Sequence, residues 1–374
     1  MPVKRLTPVR LDHLGAKGLN TQGSSSTIPP EWLTEANNVA FDFTGRIGPR
    51  KGVKGISKTV AAPIKSIGEF IKSDRTTEYY AASGAYIYKR DTSTTPETLT
   101  AQTFSGSAQT ITDSNWQWIN FNNEFWGVQA GHKPINYDGT SWYDVEDLGA
   151  YVAPSGVTTF NPSCALGIFG RMWYGGITEA PGTIYYSDNL IGEKLNTGAA
   201  GSLDLRTVWG ADEIVGLASI MDKIIIFGKN NIAIYSGASN PASMTLDELI
   251  QGVGLAGRDN IVYVGAEVLF MSYEGLQALS RVTNTGGKAP ISGLSVAVRN
   301  SLSFYLAQAD LTTVKSVFYQ EEGLVVTFVP ERKLAYVFDF ASSAELSIPR
   351  ITTWHFADAP LCGVGTVDGY LIMG

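Results

Sequence analysis

Ile214-Val-Gly-Leu-Ala-Ser-Ile220, Met221-Asp222, Lys223-Ile-Ile-Ile-Phe-Gly228, Asn230-Asn231, Ile232-Ala-Ile-Tyr-Ser-Gly237 reads as three short strands separated by tight turns. The apolar runs are strand-length, rich in β-branched residues, and bounded by Asp, Asn and Gly, which favour turn conformations. The same grammar occurs twice upstream. One unit runs Trp116-Gln-Trp-Ile-Asn-Phe121, Asn122-Asn123, Glu124-Phe-Trp-Gly-Val128, Gly131, Pro134-Ile-Asn-Tyr-Asp-Gly139; another runs from Ser163 through Gly170-Arg171 and Met172-Trp-Tyr-Gly175 to Thr183-Ile-Tyr-Tyr-Ser-Asp188.

Comparable starts fall near Ser66, Asp259, Lys315 and Leu361, so seven starts recur 45 to 56 residues apart. A period near 50 residues with several strands per unit predicts an all-β chain folded as a β-propeller of about six to seven blades, each burying its faces against its neighbours. Neither the Gly-His and Trp-Asp signature nor a kelch-like double glycine recurs. The last start leaves only the residues up to Gly374, too few for a whole blade. Two completions follow: the N-terminal strands supply the missing edge, or the chain is a fragment of a longer protein.

Residues 1–62 form a separate arm, and 63–374 the propeller. The arm is punctuated by Gly15, Gly18, Gly23-Ser-Ser-Ser26, Pro29-Pro30, Gly45, Gly48-Pro49 and Gly52, leaving room only for short strands. The best spans Ala36 to Phe43, where Val39, Phe41 and Phe43 alternate with Asn38, Ala40 and Asp42 before a Thr44-Gly45 turn. Two helical insertions are expected. Residues 244–251 carry Met244, Leu246, Leu249 and Ile250, and residues 293–308 space Leu294, Val298, Leu302 and Leu306 four apart.

The composition of 374 residues, 44% hydrophobic and 17% charged, is that of a folded globular chain, and no apolar run approaches the ~20 residues of a membrane-spanning helix. No apolar stretch follows Lys4 and Arg5 as a secretory signal requires. Cys164 and Cys362 lack CxxC spacing and read as buried free thiols. Charge is divided unevenly: the first 75 residues carry 12 Lys/Arg against 6 Asp/Glu, whereas the whole chain is −7, which leaves −13 on the rest. A basic arm on an acidic body suits docking on an acidic protein surface and discourages adhesion of the body to nucleic acid.

Motifs for chemistry are sparse. His13, His132 and His355 have no second ligand at metal-binding spacing, and no GxSxG elbow occurs. Gly252-Val-Gly-Leu-Ala-Gly257 fits GxGxxG literally, but a strand and not a helix follows it, so it reads as a loop needing positive φ. Asp138-Gly139, Asp188-Asn189 and Asp368-Gly369 are ordinary turn chemistry, without calcium-loop spacing. The dense tryptophans sit at strand positions and are expected in the packing between blades. No catalytic residue, cofactor or metal is expected.

Gly18-Leu-Asn20, followed by Ile28-Pro-Pro-Glu-Trp-Leu-Thr-Glu-Ala-Asn-Asn-Val-Ala-Phe-Asp-Phe-Thr-Gly-Arg-Ile-Gly-Pro-Arg-Lys-Gly-Val53, resembles the N-termini of tail nozzle (tail tubular or packaged-DNA stabilisation) proteins of short-tailed bacteriophages, with Asn20, Asn37, Asn38, Asp42, Gly45, Arg50 and Gly52 carrying the match. Gly254-Leu-Ala-Gly257-Arg-Asp-Asn-Ile-Val-Tyr-Val-Gly265 and Val268-Leu-Phe-Met-Ser-Tyr-Glu-Gly-Leu276 resemble their later blades. The resemblance implies a structural virion protein: a homohexameric ring under the portal-adaptor (head-to-tail connector) protein, with tail fibres or a needle outside. Phage DNA would be retained and then conducted through its lumen without sequence-specific binding. The implied location is the virion tail, and the host cytoplasm during assembly. Arg46, Arg50, Lys51 and Lys54 would contact the adaptor or a neighbouring subunit, and Asn37, Asp42, Gly45 and Gly52 would shape the local hairpin. Other uses of a propeller are an adhesin or carbohydrate-binding head and, further off, a glycoside hydrolase with a pair of inward carboxylates.

Overall fold

The computed structural model describes residues 14–374 other than 43, 108–109, 285–292 and 344–347. It is a β-propeller. Blade 1 is the meander Ile64–Ile71, Thr77–Ser83, Tyr86–Asp91, Thr98–Ala101; blade 3 is Cys164–Ile168, Arg171–Gly175, Thr183–Tyr186, Gly201–Asp204. Blade 4 is Ile214–Ile220, Lys223–Gly228, Asn231–Ser236, Thr245–Gln251, and blade 6 is Lys315–Tyr319, Leu324–Val329, Leu334–Asp339, Arg350–His355. Blade 2, Gln117–Phe121 to Trp142–Asp144, gains a fifth, parallel edge strand, Phe104–Ser105. Blade 5 has three strands from Ile261–Val264 to Gly275–Ala278, backed by the helices Leu279–Asn284 and Arg299–Gln308.

These six blades leave a seventh position between blades 6 and 1. It is filled by a two-stranded hairpin, Gly363–Gly365 and Leu371–Met373, whose first strand lies against the inner strands of both neighbours. All seven expected starts therefore fall at innermost strands. The ring closes with six blades of three to five strands and one two-stranded partial blade.

The sequence pattern explains why blades stack. In Ile224-Ile-Ile-Phe227, Ile224 and Ile226 belong to the core shared with blade 3, while Ile225 and Phe227 belong to the core shared with blade 5. A strand sandwiched between two sheets needs apolar residues on both faces, which turns alternation into a continuous run. Five such cores lie between consecutive blades from 1 to 6. Trp116, Trp126, Trp142 and Trp173 are fully buried within them, as expected. A sixth joins blade 6 to Leu371 and Met373. Between the closing hairpin and blade 1 no apolar cluster forms among the described residues.

Two readings are corrected. Residues 244–251 are not a helix but the outer strand of blade 4. A β-bulge opposite Ile234/Tyr235 lets Leu246 and Glu248 face consecutive residues, and the interrupted alternation imitates helical spacing. The loop Gly252–Gly257 therefore follows a strand, and only Gly252 has positive φ, +78°. A methyl group on Gly254 would collide with the Lys229 carbonyl, and one on Gly257 with the Leu311 carbonyl; close backbone approach selects those two glycines. The other helix is present, as a short 3-10 turn Val296–Val298 leading into Arg299–Gln308, with Leu302 and Leu306 buried.

Among the described residues the arm adds no strand to blade 7. Its hairpin, Val39–Phe41 with Ile47–Pro49, docks instead on the outer edge of blade 6: Asn37 pairs in parallel with Thr353, and the Asn38 amide donates to the Thr353 carbonyl at 2.7 Å. The chain then crosses the outside of blade 7 as a belt, and Lys58 donates to the Glu97 carbonyl at the outer edge of blade 1 at 2.9 Å.

Gly254→Ala should destabilise the fold by on the order of 3 kcal/mol, because backbone and not a yielding side chain blocks the new methyl. Gly52→Ala, with open space around it and no positive φ, should leave chemical denaturation unchanged. Equal midpoints for the two variants would contradict this account.

Candidate functional site: a basic groove at the incomplete blade

At one end of the propeller axis, residues that precede or begin inner strands converge. Arg258 donates to the carbonyls of Ser163 (3.0 Å) and Asn115 (2.9 Å) and pairs with Asp259 at 2.8 Å. Lys315 donates to the Lys65 carbonyl at 2.7 Å and lies 3.4 Å from Asp259. One cluster thus ties blades 1, 2, 3, 5 and 6 together. Burial pushes the Asp259 carboxyl up, but Arg258 and Lys315 outweigh burial and hold it down at about 2. The axial cavity here is about 600 Å³.

At blade 7 the belt and the hairpin enclose a larger groove of about 1180 Å³. Its inner wall is Leu371–Met373, its sides are Tyr79, Lys89 and Arg90 of blade 1 and Tyr319 and Trp354 of blade 6, and its outer rim is Arg50–Lys54 with Ile56. In blades 1, 2, 3, 4 and 6 this space holds the third and fourth strands. The hairpin is held to blade 1 by polar contacts: the Val367 amide donates to the Glu69 carboxylate at 3.1 Å, and the Tyr79 hydroxyl donates to Glu69 (3.0 Å) and Asp368 (3.3 Å).

Three of the four basic residues singled out in the sequence, Arg50, Lys51 and Lys54, meet at this groove. Arg50 lies over the rings of Trp354 (5.4 Å) and Phe356 (5.3 Å), and its Nε donates to the Asn38 Oδ1 at 2.9 Å. Lys51 pairs with Glu322, whose carboxylate raises the Lys51 pKa. Lys54 is exposed. Arg46 lies apart, exposed in the arm hairpin, with its amide on Asp42.

The residues expected to shape that hairpin divide. Asp42 Oδ1 accepts from the Thr44 hydroxyl (2.6 Å), the Thr44 amide (2.8 Å) and the Arg46 amide (2.9 Å), which lowers its pKa; Gly45 has φ +79°. Asn37 acts elsewhere, accepting from the Thr353 hydroxyl at 2.7 Å and so fastening the arm to blade 6. Gly52 lies in the belt, outside the hairpin, and meets nothing that forbids a side chain; its assignment to the hairpin is corrected.

The remaining candidates are absorbed by structure. His132 is buried against Trp116, and its Nε2 accepts from the Thr112 amide at 3.0 Å. Asp138 and Asp188 accept amides of their own loops, and Lys194 at 2.7 Å holds the Asp188 carboxyl down at about 2. Burial pushes both free thiols up to about 12. Among the described residues, no three His, Cys, Asp or Glu side chains converge to hold a metal ion, and no helix is long and apolar enough to cross a membrane. His13 lies outside the described residues.

Sequence reasoning missed the axial cluster, although its signal was present: Lys65, Asn115, Ser163, Asp259 and Lys315 occupy equivalent positions of the repeat. Lys89 and Arg90 carried no signal, because only the closing of the ring brings them opposite the belt.

No protein-family profile matches this chain, and none of the curated proteins does. Solved structures do. A streptogramin B lyase superposes with a TM-score of 0.50 at 12% identity, covering 84% of this chain and 92% of that one. PorZ, a surface component of the type-IX secretion system of Porphyromonas gingivalis, gives 0.48 at 10% identity over 84% of this chain, which spans only 36% of PorZ. The Pan2 WD40 domain of Neurospora crassa gives 0.45 at 10%, covering 84% and 86%. These likenesses concern the propeller fold, which serves enzymes and non-enzymes alike.

Asp259→Asn should lower Tm by several degrees at neutral pH. A carboxyl with a depressed pKa contributes stability above its ordinary value near 3.8, and that contribution fades as pH falls toward about 2. The difference from the unsubstituted protein should therefore narrow below pH 4 in thermal melts; a constant difference would contradict the assignment.

Proposed function

We propose that this chain is a structural ring-forming protein of a short-tailed phage tail nozzle, acting through protein contacts and not by turnover. The reading rests on the arm. Five of the seven residues that carry the nozzle resemblance build and dock it: Asn37 and Asn38 fasten it to blade 6, Asp42 and Gly45 shape its turn, and Arg50 packs it on Trp354 and Phe356. Such work by a contiguous motif is what an assembly element requires. Within the arm, Arg46, Lys51 and Lys54 remain at the surface, available to the adaptor or to a neighbouring copy.

The axial cluster supports the same reading. The cavity along the propeller axis is only about 600 Å³ and is lined at one end by Arg258 and Lys315, far too small for a duplex, so DNA would pass between copies in a closed ring and not along the axis of any one of them. Head-to-tail contacts that close by rotation make such a ring. An acidic body suits a conduit, because each Lys or Arg contact to phosphate would add to a salt-dependent grip on moving DNA. In this proposal the ring sits below the portal-adaptor protein, with fibres or a needle attached outside.

Light scattering followed by negative-stain class averages, with and without a portal-adaptor complex, tests this. A six-fold ring with an axial hole, formed alone or on the adaptor, is expected, and Lys51→Glu with Lys54→Glu should weaken it about tenfold or more. A monomer that ignores the adaptor overturns the proposal, and glycan binding by that monomer would favour an adhesin.

A further inference from the structure

We propose that the contact of blade 7 with blade 1 is a proton-operated latch: a proton taken up from solvent by Glu69 fastens the closing hairpin, and its release loosens it. The inference concerns the closure of the ring and does not depend on the nozzle reading.

The latch is built around one hydroxyl. Glu69, on the inner strand of blade 1, stands directly opposite Tyr79 on the second strand, and both side chains meet the turn of the hairpin. The Tyr79 Oη lies 3.0 Å from Glu69 Oε1 and 3.3 Å from Asp368 Oδ2. A phenol has a single proton to donate, so it cannot fully serve two carboxylates, and like charges within about 6 Å of one another resist joint ionisation. Glu69 is only 9% exposed whereas Asp368 is exposed, so burial selects Glu69 as the group that takes the proton. Protonated at Oε1, Glu69 donates to the Tyr79 oxygen, the Tyr79 proton turns to Asp368, and Oε2 keeps the Val367 amide at 3.1 Å. Every donor then has its own acceptor.

The other groups around the pair do not relieve it. Arg90, on the third strand of blade 1, lies 5.0 Å from the centre of the Tyr79 ring but is engaged by Glu97. On the side of blade 2, the neutral Asn120 side chain donates to the Glu69 carbonyl at 2.8 Å. From blade 6 a third carboxylate, Glu321, approaches the turn at Gly369. Burial pushes the Glu69 pKa above the usual glutamate value and Asp368 adds to it, against the hydrogen bonds from Tyr79 and Val367. A carboxyl raised in the closed state contributes its stability fully below its ordinary value and loses it as pH rises through the raised one. The latch therefore holds in mild acid and weakens toward neutral pH, while the Tyr79 phenol, raised by burial, stays neutral.

Hydrogen exchange of the full 374-residue chain, read at the Val367 amide and corrected for the intrinsic rate, tests the latch, with the strand Lys223–Gly228 as internal reference. Between about pH 4.5 and about pH 8 the protection of Val367 relative to that strand should fall severalfold. Glu69→Gln, which reproduces the neutral side chain, should hold the amide at about pH 8 as firmly as the unsubstituted protein holds it in acid, and Asp368→Asn should also strengthen it there. A merely structural role for these acids predicts the opposite, a looser hairpin on removing either. Relative protection that is constant or rises with pH in the unsubstituted protein, or a hairpin loosened by Asp368→Asn at about pH 8, would overturn the proposal. The pH profile needs no substitution, so a misfolded variant cannot decide the result. A flat profile in a protein that still forms six-fold rings would remove the latch and leave the nozzle proposal standing.

Discussion

A ring of sheets must meet itself, and the seam where the last blade meets the first governs the rest of this molecule. Elsewhere neighbouring blades share apolar cores, and each fully buried Val, Leu, Ile or Phe side chain in them contributes roughly 1.5–3 kcal/mol. Among the described residues there is no such core between the closing hairpin and blade 1. Glu69, Tyr79, Asp368 and the Val367 amide meet there instead, and partly exposed polar contacts each contribute about 1 kcal/mol or less.

Two devices outside the seam therefore hold it. On the axis, Arg258, Asp259 and Lys315 join strands from five blades, their charges taken up by one another and by carbonyls. Such a cluster is valuable for fixing geometry more than for net stability, since removing one member strands the others in a low-dielectric site. On the outside, the arm runs from blade 6 to blade 1 with main-chain hydrogen bonds at each end. The space between the two devices is the groove, so the candidate interface is a by-product of the way in which the ring closes.

Much of this architecture was legible in the sequence because propeller repeats are local. The starts at Ser66, Trp116, Ser163, Ile214, Asp259, Lys315 and Leu361 mark innermost strands, since each blade is a meander of adjacent segments. The helix expected at 244–251 failed for a local reason as well: one bulged residue, Asp247, breaks the period of two. Long-range pairings were not readable. Nothing in Asn37 announces Thr353, and nothing in Lys54 announces Lys89, because those partners are set by closure. The basic arm was recognisable as an interface candidate from charge alone, but its place over the closing hairpin required the three-dimensional ring.

Hydrogen exchange of the free protein tests most directly whether the arm closes the propeller. The amides of Asn38 and Lys58, which donate to Thr353 on blade 6 and Glu97 on blade 1, are predicted to exchange as slowly as the outer strands they join and to be released together with them under mild denaturant. Exchange of both at unstructured rates, with the blades still protected, would show that the arm is an appendage and that the seam is held without it.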